Sequence, residues 1–354
     1  MNYAVVGAGF GDEGKGKVVS WLAAQHPTAL VSRYSGGHQA SHKVMLKDGW
    51  EHVFSNFGSG TLQGLPTFWP SNCTVDPIGI INEQAVLLAQ GITPSLSIDF
   101  RCPITTPYDK RANRELDVHG SCGVGVGKTY EREERHYSLL AGDLAHPYVF
   151  RTKLEMVRQF YGGDPIASDF EAACDALLRS PCVRVVQEYT KRWDHVIFEG
   201  SQGVMLDEQF GFFPHVTRGR TRLSNLEEFQ GMLNVLYVTR AYLTRHGMGP
   251  MPNQGLGITF DNPYEHNLST GFQGQFRTAP LELDLLKYAL TRREAVPVAS
   301  HKLVMTCLDV MHRWVYTING KLVEHQDEDA YVEGVQNYLN IEVIRSSSPT
   351  EEMT

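Results

Sequence analysis

Nothing in this chain reads as a membrane span, because no run of about 18 or more apolar residues occurs along it. A basic surplus is missing too. Lys+Arg 32 stand against Asp+Glu 40, a formal net charge of −8, which argues against a dedicated nucleic-acid binder. The six cysteines (Cys73, Cys102, Cys122, Cys174, Cys182 and Cys307) are dispersed, with no CxxC pair and no zinc-ligand spacing. Reduced thiols in a cytoplasmic protein are therefore expected. Met1 leads almost directly into Ala4-Val5-Val6, without the basic and apolar regions of a secretion signal. Repeats, low-complexity tracts and Ser/Gly/Pro linkers are absent, so residues 1–354 are expected to form a single domain with loop subdomains. Hydrophobic residues at 42% and charged residues at 20% supply a sizeable globular core and exclude a disordered or collagen-like chain.

Glycine is abundant, at 33 residues, and concentrated at Gly7 to Gly16, Gly36-Gly37, Gly120 to Gly127, Gly200 to Gly211 and Gly247 to Gly257. Ala4-Val5-Val6, Ala29-Leu30-Val31, Val196-Ile197-Phe198 and Leu303-Val304-Met305 read as buried strands of a parallel sheet. Apolar residues at three- and four-residue spacing predict helices over Lys17–Gln25, Asn82–Gln90, Leu154–Phe160, Asp169–Leu178, Asn234–Arg245 and Leu281–Arg292. Met45 to Thr74, rich in Gly, Ser and Asn, reads as an irregular loop. Strands that end in glycine-rich loops predict an open α/β fold with ligands beyond the strands' carboxyl ends.

The first loop, Gly7-Ala8-Gly9-Phe10-Gly11-Asp12-Glu13-Gly14-Lys15-Gly16-Lys17, admits three phosphate-binding readings. Gly9-x-Gly11-x-x-Gly14 satisfies a dinucleotide fingerprint, yet the next strand ends in Ser32-Arg33-Tyr34 and lacks its ribose-binding acid. Gly9 through Lys15 matches a Walker A loop until Gly16 replaces the Mg²⁺-binding Ser or Thr. The third reading places phosphate on backbone N–H groups with Lys15 and Lys17, and Asp12 at the reacting centre as a base or a Mg²⁺ ligand. The second loop, Arg33-Tyr34-Ser35-Gly36-Gly37-His38-Gln39-Ala40-Ser41-His42, decides for the third.

Together the two loops resemble the adenylosuccinate synthetase family. Its Gly-Asp-Glu-Gly-Lys-Gly-Lys stands unchanged at positions 11–17, and its Gly-Gly-His-Asn-Ala-Gly-His is present with Gln39 and Ser41 substituted. Phe198-Glu199-Gly200-Ser201-Gln202-Gly203, Val216-Thr217, Gly249-Pro250-Met251-Pro252, Thr306-Cys307-Leu308-Asp309 and Ser346-Ser347-Ser348-Pro349 follow the family's remaining motifs in order. The resemblance implies an α/β fold related to P-loop NTPases, with a large, mostly parallel central sheet and flanking helices. It also implies a homodimeric, cytoplasmic ligase that forms a C–N bond. GTP phosphorylates the 6-oxo group of a purine nucleoside monophosphate, and the amine of aspartate then displaces phosphate.

Carried onto this sequence, the family's chemistry makes Asp12, Lys15, His42 and Gln202 catalytic, with Mg²⁺ held by Asp12 and the Ser41 main-chain carbonyl. The purine nucleotide would meet Asp12, Gln39, Ala40, Ser121, Cys122, Arg135, Gln202, Thr217 and Gln275. GTP would meet Gly11, Glu13, Gly14, Lys15, Gly16, Lys17, Ser41, His42, Lys43, Arg277, Cys307, Asp309, Ser346, Ser347 and Ser348. Asp309 would select guanine, since a carboxylate accepts from both N1–H and N2–H. The amine donor would meet Gln273, Gln275, Arg277 and Thr278.

Departures from the family concentrate at that donor loop. Where the family presents consecutive arginines, this chain has Phe272-Gln273-Gly274-Gln275-Phe276-Arg277-Thr278-Ala279. Aspartate or another amine is thus open as donor, and Arg218, Arg220 and Arg222 are candidates to compensate. Cys122 replaces a phosphate-binding threonine, Cys307 a lysine beneath guanine, and Arg135 or His136 falls where an arginine reaches the partner subunit. The P-loop look of the Gly120–Thr129 segment is set aside because Asp117-Val118-His119 makes a poor buried strand. Rival readings are a phage-type synthetase acting on a guanine nucleotide, a dehydrogenase, and a catalytically silent nucleotide-binding regulator.

Overall fold

Alternation along the first strand, β1 (Asn2–Gly7), shows how the central sheet is covered. Ala4 and Val6 enter one apolar cluster and Val5 another, so both faces are buried, as a parallel sheet requires. The computed structural model describes residues 1–115, 121–164, 168–187, 193–265, 274–291, 296–350 and 353–354. The further strands are β2 (Leu30–Arg33), β3 (His42–Met45), β4 (Glu51–Phe54), β5 (Thr67–Trp69), β6 (Leu96–Asp99), β7 (Val183–Val186) and β8 (Val196–Glu199). They continue with β9 (Leu233–Arg240), β10 (Tyr242–His246), β11 (Phe276–Glu282), β12 (Val298–Thr306), β13 (Trp314–Ile318), β14 (Lys321–His325) and β15 (Val343–Ser346). The helices are α1 (Lys15–Gln25), α2 (Pro77–Ala89), α3 (Pro107–Glu115), α4 (Val126–Glu134), α5 (Pro147–Tyr161), α6 (Ser168–Arg179), α7 (Leu283–Thr291) and α8 (Glu328–Leu339).

Nine strands form the main sheet in the order β15-β12-β9-β1-β8-β2-β5-β6-β7, every neighbouring pair parallel. Strand β1 lies between β8 and β9, so the chain leaves it to build outward on both sides. Such a switch point opens a crevice beyond the strand ends. A four-stranded sheet, β10-β11-β13-β14, and the hairpin β3-β4 complete the strand architecture among the described residues.

The four apolar runs expected as strands occupy β1, β2, β8 and β12. Helices α2 and α5 begin earlier than expected, each with a proline in its first turn, where the missing N–H costs nothing. The helix expected over Asn234–Arg245 is instead two strands, β9 and β10. Its near-continuous apolar run satisfies helical spacing, but Leu233, Val235 and Tyr237 pack on one side of the sheet and Leu236 and Val238 on the other. Leu281 likewise lies in β11, which ends at Glu282, and α7 starts at Leu283. The segment read as irregular, Met45 to Thr74, contains β4 and β5, strands too short to announce themselves by periodicity. Asp117-Val118-His119, Gly120, Phe272, Gln273 and Arg292 lie outside the described residues.

Candidate functional site

The turn from β1 into α1 is built around a carboxylate that faces inward. Glu13 accepts hydrogen bonds from the backbone N–H groups of Gly9 (3.0 Å) and Gly11 (2.8 Å) and from Lys15 Nζ (2.6 Å). Gly14 caps α1 at φ 92°, in the left-handed region that suits glycine, and offers the first turn of the helix no side-chain cap. A helix start without a capping side chain is a ready anion site. The neighbouring turn after β8 comes close: a Cβ at Gly203 would lie 2.3 Å from the Gly9 carbonyl oxygen. Thr306 Oγ1 donates to the Glu13 carbonyl at 2.7 Å, and Lys17 Nζ donates to the Ser348 carbonyl. These contacts tie the ends of β1, β12 and β15 together.

Between those ends lies a cleft of about 510 Å³. It is lined by the expected first loop from Gly11 to Lys17 apart from Glu13, and by Gln39, Ala40, Ser41, His42 and Lys43 from the second. Ser121, Cys122, Gln202, Thr217, Cys307, Asp309, Ser346, Ser347 and Ser348 line it as well. Ser121 Oγ also accepts from Asn113 Nδ2 (2.8 Å) and from the Gly123 N–H (3.1 Å), which fixes the start of the α4 turn.

Five expected residues stand elsewhere. Glu13 is spent inside its own loop. Arg135 is exposed at the end of α4, 3.7 Å from Glu131. Gln275 is exposed, and its carbonyl accepts from the Gly247 N–H as β11 pairs with β10. Arg277 donates to Gln254 Oε1 (2.9 Å) and to the Gly249 carbonyl (3.1 Å), bracing the Gly249–Pro252 turn outside the cleft lining. Thr278 Oγ1 accepts from the Phe260 N–H. Nor do the three alternate arginines converge on a donor. Arg218 pairs with Glu131 and Glu134, Arg220 with Glu208, and Arg222 with Asp207. Of these only Arg218 lines the main cleft.

Two acid–histidine contacts, one buried and one half-buried, set the electrostatics. His42 Nδ1 lies 2.6 Å from Glu199 Oε1, and Glu199 also accepts from the Ser59 N–H (3.1 Å) and Ser59 hydroxyl. Burial opposes ionisation of Glu199, but His42, Arg33 and Ser59 outweigh it and hold the carboxyl at about 2. Burial lowers the His42 imidazole despite the pull of Glu199. The pair therefore rests as a carboxylate accepting from a neutral ring, whose Nε2 is left without a hydrogen-bond partner. Asp12 Oδ2 lies 3.1 Å from His246 Nε2. Burial alone would raise the Asp12 carboxyl, yet His246, Arg240 and Lys15 hold it at about 2.

Sequence reasoning missed Glu199 as the partner of His42, although it stands inside a quoted motif, and missed His246, Arg240 and Arg245. The last three line the cleft from β9 and β10, the segment misread as a helix, and only its alternation could have pointed to them. Arg240 pairs with Glu265 at 2.7 Å, and Arg245 lies over the Phe10 ring at 4.3 Å. Among the described residues no group of three or more His, Cys, Asp or Glu forms a metal cage. Asp12 and Ser41 both line the cleft. No helix among the described residues is long and apolar enough to cross a membrane.

A family model described as adenylosuccinate synthetase matches residues 4–316. Adenylosuccinate synthetase of Neisseria gonorrhoeae is 33% identical over 283 residues, covering 72% of this chain and 65% of that protein. The chain thus spans about 65% of the length of that relative. The enzyme of Neisseria meningitidis serogroup B is 32% identical over 305 residues, covering 76% of this chain and 70% of its own. The fully ligated adenylosuccinate synthetase of Plasmodium falciparum superposes with a TM-score of 0.79 at 18% identity, covering 99% of this chain and 98% of that one. Cyanophage S-2L succinoaminodeoxyadenylate synthetase, solved with dGMP and dATP, gives 0.70 at 16% identity, covering 99% and 93%. At these identities the structural matches show a shared fold. The collinear motifs, the parallel nine-stranded sheet and the match over most of the sequence place this chain in the adenylosuccinate synthetase family.

Proposed function

We propose that the chain is a GTP-dependent ligase acting on an IMP-like purine nucleoside monophosphate. It phosphorylates the 6-oxo group and lets the amine of aspartate displace phosphate, giving an N6-succinyl purine nucleotide. The observation that carries this reading is the meeting of Asp12, Lys15, His42 and Gln202 in one cleft whose lining also includes Asp309.

A purine 6-oxo group leaves poorly, so the reaction needs a base for the N1 proton and positive charge on the transferring phosphoryl group. Asp12 is ionised at neutral pH and lines the cleft, as the base must. Lys15 and the uncapped start of α1 supply charge and N–H donors to phosphate oxygens. Glu199 orients the His42 ring and turns Nε2 away from itself, toward the reacting phosphoryl group. Gln202 would hold the purine 6-position, Thr217 and Ser121 the 5′-phosphate, and Asp309 the guanine of GTP; all four line the cleft. Asp12 with the Ser41 carbonyl would hold Mg²⁺, which supplies charge neutralisation on the phosphates. The enzyme would be a cytoplasmic homodimer in which exposed Arg135, 3.7 Å from Glu131 here, reaches a second copy's nucleotide.

The test is a panel of IMP, GMP and dGMP with GTP or ATP and each amino acid, read as phosphate release with the adduct identified by mass. An aspartate adduct of IMP formed with GTP supports the reading. Turnover on dGMP with ATP would favour the phage-type rival, and no turnover on any combination would favour a silent nucleotide-binding regulator.

A further inference from the structure

Asp12 sits at φ 61°, a left-handed conformation that non-glycine residues seldom adopt and that surrounding contacts must hold in place. Those contacts come from one run of chain. Arg240 Nε donates to the Asp12 carbonyl at 2.5 Å, Thr244 Oγ1 donates to the Gly11 carbonyl at 3.5 Å, and His246 Nε2 reaches Asp12 Oδ2 at 3.1 Å. Arg240 ends β9, and Thr244 and His246, two residues apart, share one face of β10. The first two grip the backbone of the loop. His246 reaches the carboxylate.

The rest of the His246 ring has little other reason to be polar. Its side chain is 13% exposed and packs against the Phe276 ring with centroids 4.9 Å apart; neither ring nitrogen meets hydrogen-bond geometry, and Nε2 makes a 3.1 Å ion-pair contact with Asp12 Oδ2. An apolar residue would satisfy that packing without burying an unpaired ring nitrogen. What the imidazole adds is a polar nitrogen 3.1 Å from the Asp12 carboxylate, a contact that restrains a group with rotational freedom of its own.

We propose that His246 is a positioning residue for Asp12, fixing the carboxylate in the orientation that takes the purine N1 proton. This rests on the ligase reading for the identity of the proton and on the geometry alone for the coupling of the two side chains. His246→Phe keeps the ring volume and removes the polar nitrogen, and His246→Gln restores an N–H near the position of Nε2.

Under the ligase reading, His246→Phe lowers kcat by about 10- to 100-fold, the range for lost orienting partners, with KM for both nucleotides within about twofold. His246→Gln recovers most of that loss, and in an Asp12→Asn background His246→Phe produces no further loss. Parental kcat in His246→Phe, a loss confined to KM, or His246→Gln no better than His246→Phe overturns the proposal. A second readout does not depend on turnover: a double-mutant cycle of His246→Phe and Asp12→Asn in urea unfolding. Non-additive effects support the coupling, and strictly additive effects overturn it. A parent enzyme inactive on every substrate combination would sink the ligase reading and leave this cycle to decide the coupling.

Discussion

His42 and Glu199, far apart in sequence, meet at 2.6 Å with both side chains buried, and the Ser59 backbone and hydroxyl hold the carboxylate from the other side. The contact follows from β2 and β8 being neighbours in the sheet, with Arg33 in register with Glu199. It specifies which ring nitrogen of His42 is occupied and which is left without a hydrogen-bond partner at the cleft.

Replacing Glu199 by glutamine keeps the volume but removes the charge that selects this tautomer. We expect Glu199→Gln to lower kcat by about 10- to 100-fold with little change in KM for either nucleotide. Steady-state phosphate release measures it, and a parental kcat would show that His42 needs no orienting partner.

The same carboxylate makes stability depend on acid. Its folded value of about 2 lies below the ordinary 4.5, so the unfolded chain binds the proton more readily. The stabilisation is therefore complete above pH 4.5 and is lost as pH falls from there through about 2. Urea midpoints followed downward from about pH 5 should decline less steeply in Glu199→Gln than in the parent. Equal slopes would mean that the pair carries no net proton linkage.

Donor choice tests the other part of the cleft. Adenine would set its N1 lone pair against the Asp309 carboxylate, and mispaired polar groups cost roughly 1–3 kcal/mol, about one to two decades of discrimination. GTP should be preferred over ATP by that margin, and Asp309→Asn should shrink it. The check is kcat/KM for both donors. An unchanged preference in the variant would remove Asp309 from base recognition.

Gly203 tests the packing beneath the first loop. A Cβ there meets the Gly9 carbonyl oxygen at 2.3 Å and Glu13 Oε1 at 2.5 Å, and neither can retreat without breaking the bonds that shape the loop. Gly203→Ala should destabilise the fold by roughly 1–3 kcal/mol, as overpacking does, and weaken nucleotide binding with it. Thermal unfolding with and without GTP reads both effects. A parental Tm together with parental GTP affinity would show that the loop accommodates the methyl group.

Contiguous chemistry was legible in the sequence by itself. The buried strands β1, β2, β8 and β12, the glycine-rich loops after them and the collinear motifs all rest on neighbours along the chain, whose residue types dictate local conformation. That was enough to reach the α/β class, the family and most of the cleft lining. Tertiary structure decided whatever depends on which distant segments become neighbours. Glu13 turned inward to staple its own loop, and Arg218, Arg220 and Arg222 found acids to pair with. Gln275 and Arg277 were carried out of the cleft lining by the pairing of β11 with β10. His246 arrived beneath Asp12 because β9, the neighbour of β1, runs straight on into β10. Strand order and register are properties of the packed sheet, and a run of apolar residues that fits both helical and strand spacing leaves them undetermined until both its faces are covered.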